Sequence, residues 1–137
     1  MPLYICNAKR DALDETAKAN IAQAITDIHC SVTGAPACFV HAVFFEEAPF
    51  FPLEGNDLYV RGTIRKGRSA EQKTEISQRI QKALVSHGNV ETRQAGALIR
   101  ETPASWVLEG GEIMPEPGEE TEWFAAQEAR RETVRSL

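Results

Sequence analysis

A chain of 137 residues, 42 % of them hydrophobic, is most simply one domain, long enough for a real core and short for two. Its formal net charge of −5 argues against a nucleic-acid surface, which needs a clustered basic face, and favours small-molecule chemistry. No window approaches the roughly 18 uninterrupted apolar residues of a membrane span, and the N-terminus lacks the basic-then-apolar layout of a signal peptide, so neither a membrane nor a secretory route is expected and the expected location is the cytoplasm.

The chain opens Met1-Pro2-Leu3-Tyr4-Ile5. A small second residue permits removal of the initiator methionine, which would leave Pro2 as a free secondary amine at the head of an apolar strand. Inside a chain a proline nitrogen is an amide with neither proton nor basicity. An α-amino group instead titrates at roughly 7.7 to 8.0, and burial or a nearby charge moves it either way. Pro2 is therefore a candidate acid or base.

Residues 3–6 read as a short strand ended by Asn7 and a charged run. Asp14 has the character of an N-cap, and Ala17, Ile21, Ala24, Ile25, Ile28 and Val32 recur on one face of a helix that ends near Gly34. His29 lies beside that apolar stripe, where a partly exposed or hydrogen-bonded histidine at a helix end is the plain expectation. Cys6, Cys30 and Cys38 are odd in number and unpatterned, so they predict neither a disulfide framework nor a metal site, only small apolar residues in the interior.

Residues 38–45 form an almost continuous apolar run, which predicts a strand buried on both faces with His41 packed against a hydrogen-bond partner. The loop that follows, residues 46–57, carries the apolar tip Phe50-Phe51. Then the pattern restarts: a strand over 58–64, a turn at Arg65-Lys66-Gly67-Arg68, a capping box at Ser69-Ala70-Glu71-Gln72, and a helix with Ile76, Ile80, Ala83 and Leu84 on one face. A further strand, residues 97–101, precedes Pro103.

Strand, helix, strand is thus written twice, at about 2–46 and about 58–102, with a hairpin and tail over 103–137. Each unit is a βαβ whose crossover leaves its strands parallel. The fold class is α+β, a four-stranded sheet with two helices on one face, and the apolar second strand predicts that association covers the other face. In the tail, Gly110-Gly111 predicts a tight turn, and from Trp123 the sequence turns helical, with Trp123-Phe124 as an anchor and fraying beyond Arg130.

Arg65-Lys66-Gly67-Arg68-Ser69 sits at a strand-to-helix junction, where helix amides and two guanidiniums suit an anion. Its glycine count and lysine placement do not match a phosphate loop, so a carboxylate is the better ligand.

A strand-opening Pro2, the doubled βαβ, Ala24-Ile25-Thr26-Asp27-Ile28-His29, Ile64-Arg65-Lys66-Gly67-Arg68-Ser69, and a tail reading Thr102-Pro103-Ala104, Glu109-Gly110, Met114-Pro115-Glu116-Pro117-Gly118 and Glu122-Trp123-Phe124 together resemble the tautomerase superfamily, and within it the cis-3-chloroacrylic acid dehalogenase family. The resemblance covers nearly the whole chain. It implies a homotrimer without cofactor or metal, in which Pro2 is the catalytic amine, Arg65 and Arg68 bind the substrate carboxylate, His29 helps to bind substrate and water, and Glu109 activates water. It also implies malonate semialdehyde as the product of such a dehalogenation. One position departs: where that family has a tyrosine whose hydroxyl assists the glutamate, this chain has Leu98, which cannot hydrogen-bond. The expectation is an enzyme of small unsaturated or 2-keto carboxylic acids with weak dehalogenase, hydratase or tautomerase activity. The competing readings are a malonate semialdehyde decarboxylase-like enzyme and a non-enzymatic binding protein of the same fold.

Overall fold

The computed structural model describes residues 1–46 and 50–137. The sequence runs β1 (Leu3–Ala8), α1 (Glu15–Thr33), β2 (His41–Phe45), β3 (Leu58–Arg65), α2 (Ala70–Gly88), β4 (Ala95–Thr102), β5 (Leu108–Glu109), β6 (Glu112–Ile113) and α3 (Glu120–Arg135). The first four strands form one sheet in the order β2-β1-β3-β4, and β5 and β6 form a separate hairpin. β1 and β2 are parallel, as are β3 and β4, while β1 and β3 meet antiparallel. This is the doubled βαβ read from the sequence.

Both long helices start and stop on local chemistry. The Asp14 carboxylate accepts from the Ala17 N–H at 2.7 Å and caps α1, which ends at Gly34 with φ of +74°, a conformation that suits glycine. At α2 the capping box is reciprocal: Gln72 N–H donates to the Ser69 hydroxyl and Ser69 N–H to the Gln72 amide oxygen. One sheet face packs beneath the helices, with Tyr4, Cys6, Leu58, Val60 and Ile64 meeting Ile21, Ile25 and Ile28 of α1 and Ile76, Ile80 and Leu84 of α2.

Gly62 sits where the sheet must make room for Tyr4. A Cβ there would fall 2.6 Å from Tyr4 Cδ1 and 3.0 Å from Ile99 Cδ1. The glycine is required by space, since its backbone has no positive φ.

Four expectations change. The second strand is not buried on both faces: it is five residues long, lies at the sheet edge, and leaves His41 and Val43 exposed. The start of the apolar run is a single 3-10 turn, Ala37–Phe39, directly after Pro36. Of the cysteines only Cys6 is buried; Cys38 is exposed. The predicted tail helix exists but is longer than expected, reaching Arg135. Part of the loop after β2, residues 47–49, lies outside the described residues; beyond it Phe51 is buried and Phe50 exposed. Among the described residues no helix is long and apolar enough to cross a membrane.

A second, smaller cluster seals the end of the sheet from which β1 starts. Phe39, Ala104 and Met114 are its buried members, with Met1, Val107 and Trp123 packed against them. The Trp123 indole N–H donates to the Ile113 carbonyl at 2.8 Å, and its ring stands edge-on to Phe39. Trp123 is thus the anchor that fastens α3.

Adding a methyl at Gly62 should destabilise the protein by about 1–3 kcal/mol through overpacking against Tyr4. Urea denaturation of Gly62→Ala measures this, and an unchanged midpoint would mean that the Tyr4 ring moves aside freely.

Candidate active site

The start of β1, the end of α1, the β3–α2 turn and the C-terminal hairpin converge between the two clusters. Pro2 is buried there, and its carbonyl accepts from the His41 N–H at 3.0 Å, which pins the first residues to the sheet edge. The N-terminal ammonium of Met1 lies 2.9 Å from Glu109 Oε1, and His41 Nε2 meets the same oxygen. Partial burial works to raise the Glu109 carboxyl, but the hydrogen bonds from the ammonium and His41 outweigh it and hold the group below the usual range. The Gly110-Gly111 turn makes this possible. Both glycines have positive φ, and the turn folds β5 back on β6 so that Glu109 is paired with Glu112 and aimed at the N-terminus.

Of the two expectations for His29, partly exposed or hydrogen-bonded at the helix end, the second holds: it is fully buried and hydrogen-bonded. Tyr4 and His29 share a 2.7 Å hydrogen bond between the phenol oxygen and Nδ1. Burial first, then the charges of Arg68, Arg65 and the N-terminus, push the His29 pKa down to about 4, while burial raises that of Tyr4. The imidazole is therefore neutral at physiological pH. With the protonated phenol assigned as donor to Nδ1, the ring proton lies on Nε2, free to meet a ligand.

Arg65 and Arg68 flank the turn opened by Gly67, whose φ is +116°. They are not equivalent. Arg65 is 2 % exposed; its Nη1 donates to the Pro115 carbonyl at 2.6 Å, its Nη2 to Glu120 Oε1 at 2.8 Å, and its guanidinium lies 5.3 Å from the centre of the Phe39 ring. Among the described residues the Arg68 side chain makes one long contact, 3.4 Å from Nη1 to the Thr33 carbonyl, and its buried Nε has no partner. Burial, and then Arg65, depress its pKa. Of the backbone amides at this junction, Gln72 N–H is engaged by the Ser69 cap and Gly67 N–H by Glu101, which accepts from it at 3.2 Å and from Lys73 at 2.6 Å.

The structure therefore gathers Pro2, His29, Arg65, Arg68 and Glu109. Leu98 stands apart within the protomer: it shares a register row with Val43, Ile5 and Arg61 on the sheet face that no helix covers. Sequence reading missed Tyr4, Glu120 and the pairing of His41 with Glu109. Only the alternation of Tyr4 with Cys6 could have signalled the first, and nothing local signals the other two. An open groove between the hairpin and α3 shares only Glu109 with this group and is a separate feature.

This fold and this convergence of an N-terminal amine, a carboxylate, a neutral histidine and two arginines define a tautomerase-type βαβ protein. Over residues 1–129 the sequence matches the family described as "Putative oxalocrotonate tautomerase enzyme", and the chain belongs to that family. Among solved structures it is similar to N1, a member of the cis-3-chloroacrylic acid dehalogenase family, at 26 % identity over 99 % of this chain and 100 % of that one, with a TM-score of 0.83. It is also similar to native Ps01740, at 31 % identity over 79 % of this chain and 100 % of that one, with a TM-score of 0.71. A fused 4-OT described as a symmetric trimer shares the fold at 19 % identity, over 82 % of this chain and 95 % of that one, with a TM-score of 0.70. No curated protein sequence matches the chain.

His29 should leave a mark on stability. Above its ordinary pKa of 6.5 it is neutral whether the chain is folded or not; as pH falls from there to about 4 the unfolded chain takes up a proton that the folded one refuses, so stability drops. Thermal melts of the parent should show this loss already between pH 6.5 and 4.5, before the carboxylates titrate, and His29→Gln should flatten it. An equal slope in the variant would mean that His29 is not held neutral.

Proposed function

We propose that the chain is an enzyme of small unsaturated or 2-keto carboxylic acids that uses Pro2, once Met1 is removed, as its general acid or base. The observation that carries this is the contact of the Met1 amine with Glu109 beside a buried neutral histidine and the guanidinium of Arg68, whose buried Nε has no partner among the described residues. Arg68 anchors the substrate carboxylate, Arg65 being held by the Pro115 carbonyl and Glu120, and His29 donates from Nε2. Fixing the carboxylate against these donors draws electron density from the conjugated double bond and aligns it with the amine.

Two reactions fit the same groups. For water addition, Glu109 takes a proton from water, the oxygen bonds to C3, and the protonated Pro2 amine delivers a proton to C2; a halide on C3 then leaves, and an aldehyde remains. For tautomerisation, the neutral amine removes a proton from an enol and returns it to carbon. Leu98 offers no hydroxyl to the first route, and within the protomer it lies apart from these groups, so assistance from that position would have to come from a neighbouring protomer of the trimer proposed below.

Removal of Met1 places the new amine one residue deeper, at the buried Pro2. Intact mass measured on protein from its native host should lack one methionine, and Pro2→Ala should lower turnover by about two to four orders of magnitude in a screen of 3-haloacrylates and 2-keto acids. Retained methionine would sink the amine mechanism and leave a non-enzymatic binding protein, whereas full activity of Pro2→Ala would sink the amine mechanism alone. Glu109→Gln separates the remaining alternative: it should abolish water addition, whereas a decarboxylase releasing carbon dioxide from malonate semialdehyde would survive it. Arg68→Ala should raise KM by about tenfold or more.

We also propose that the protein is a homotrimer. Support comes from the uncovered sheet face, where Val43 and Leu98 are exposed beside half-buried Leu3 and Ile5, and from the symmetric trimer of the fused 4-OT. Light scattering at micromolar concentration should give three times the monomer mass; a monomer would contradict the assembly.

A further inference from the structure

Glu120 is the part of this site that neither the arginine junction nor the hairpin accounts for. It opens α3, far along the chain from Arg65, and is held from several sides: Arg65 Nη2 donates to Oε1 at 2.8 Å, Gly118 N–H to Oε2 at 2.9 Å, and its own backbone N–H contributes. Burial works to raise its carboxyl, but these donors prevail and keep it charged below the usual range. A carboxylate at the start of a helix also faces the positive end of the helix dipole. Arg65, for its part, is almost wholly buried with Glu120 as its one anionic partner among the described residues.

Charge counting then distinguishes the two arginines. The N-terminal ammonium and Glu109 form one ion pair, Arg65 and Glu120 form another, and His29 is neutral. While the amine is protonated, one charge is left over among the described residues of the site, the guanidinium of Arg68, whose buried Nε has no partner there. A half-buried charge without a counter-ion is costly, so the ligand that balances the site carries a single negative charge.

We propose that Glu120 is a specificity-determining residue: by neutralising Arg65 it restricts the pocket to monocarboxylates, and without it the two arginines would accept a dianion. This rests on the carboxylate-binding role of Arg68 proposed above. No bond is made or broken in this step; the selection is electrostatic.

Calorimetric titration of the whole protein with crotonate and with fumarate tests it. The two acids share one trans skeleton, and at neutral pH they differ in carrying a methyl or a second carboxylate. The parent should bind crotonate more tightly by about tenfold or more, Glu120→Gln should erase or reverse that preference, and the double variant R65Q/E120Q, with the pair removed, should restore it. Losing one member of a buried ion pair can unfold a protein. If circular dichroism shows that Glu120→Gln does not fold, R65Q/E120Q decides: it keeps the same single leftover charge, so it must still prefer crotonate, and equal binding of fumarate there overturns the proposal. Binding of both acids equally by the parent, or an unchanged preference in a folded Glu120→Gln, overturns this inference alone. Failure of the parent to bind either acid overturns it together with the carboxylate-site reading.

Discussion

The buried guanidinium of Arg65 is the constraint to which the rest of the site conforms. A charge that is only 2 % exposed must be compensated, and nothing in the two βαβ units does so. Its partners, the Pro115 carbonyl and Glu120, come from the tail. Satisfying Arg65 therefore docks the chain that follows β4 against the end of the sheet, with Trp123 and Met114 closing over Phe39. The same docking brings Glu109 to the N-terminus. The hairpin carrying it is only two residues per strand and too short to hold a position unaided. A carboxylate near the amine is thus a consequence of pairing a buried arginine some distance away.

Much of the scaffold was legible because its signals are local. Asp14, Gly34 and the Ser69/Gln72 box mark helix ends by their own hydrogen bonds, and the isoleucine spacing of α1 and α2 states which face is buried. The second strand misled for a physical reason. An apolar run normally means burial on both faces, but this strand lies at the edge, and its uncovered side, with His41 and Val43, is solvent-facing within a single protomer. The site was legible only in its side chains of obvious chemistry. Pro2, Arg65, Arg68, His29 and Glu109 can be named from sequence, but their states cannot. That Arg65 is engaged while Arg68 is not, and that His29 is neutral, depend on partners drawn from opposite ends of the chain.

Tyr4 shows how core and site are coupled. Its ring occupies the space that Gly62 leaves in β3, and its hydroxyl sets the proton position on His29. Cys6, two residues on and on the same face, is pushed up to about 12 by burial and is chemically quiet, as are the other apolar members of that row. The core thus reaches the site through a single polar atom, the phenol oxygen. A change that shifts the ring alters the hydrogen bond that holds the imidazole, so packing and chemistry cannot be varied independently at this point.

Glu109 and Glu120 lie on the same tail, and each answers a positive group, yet their roles diverge with the permanence of the partner. Arg65 is buried and holds Glu120 at 2.8 Å, so Glu120 is committed to it as a counter-ion. An amine can lose its proton, so the carboxylate facing it is released whenever the amine is neutral and becomes available to water or substrate. His41 meets the same Glu109 oxygen from the sheet edge and keeps the carboxylate in place across that change. On the proposed mechanism, two glutamates in one segment are thereby separated into a fixed counter-ion and a reactive group, and the distinction follows from which cations they face.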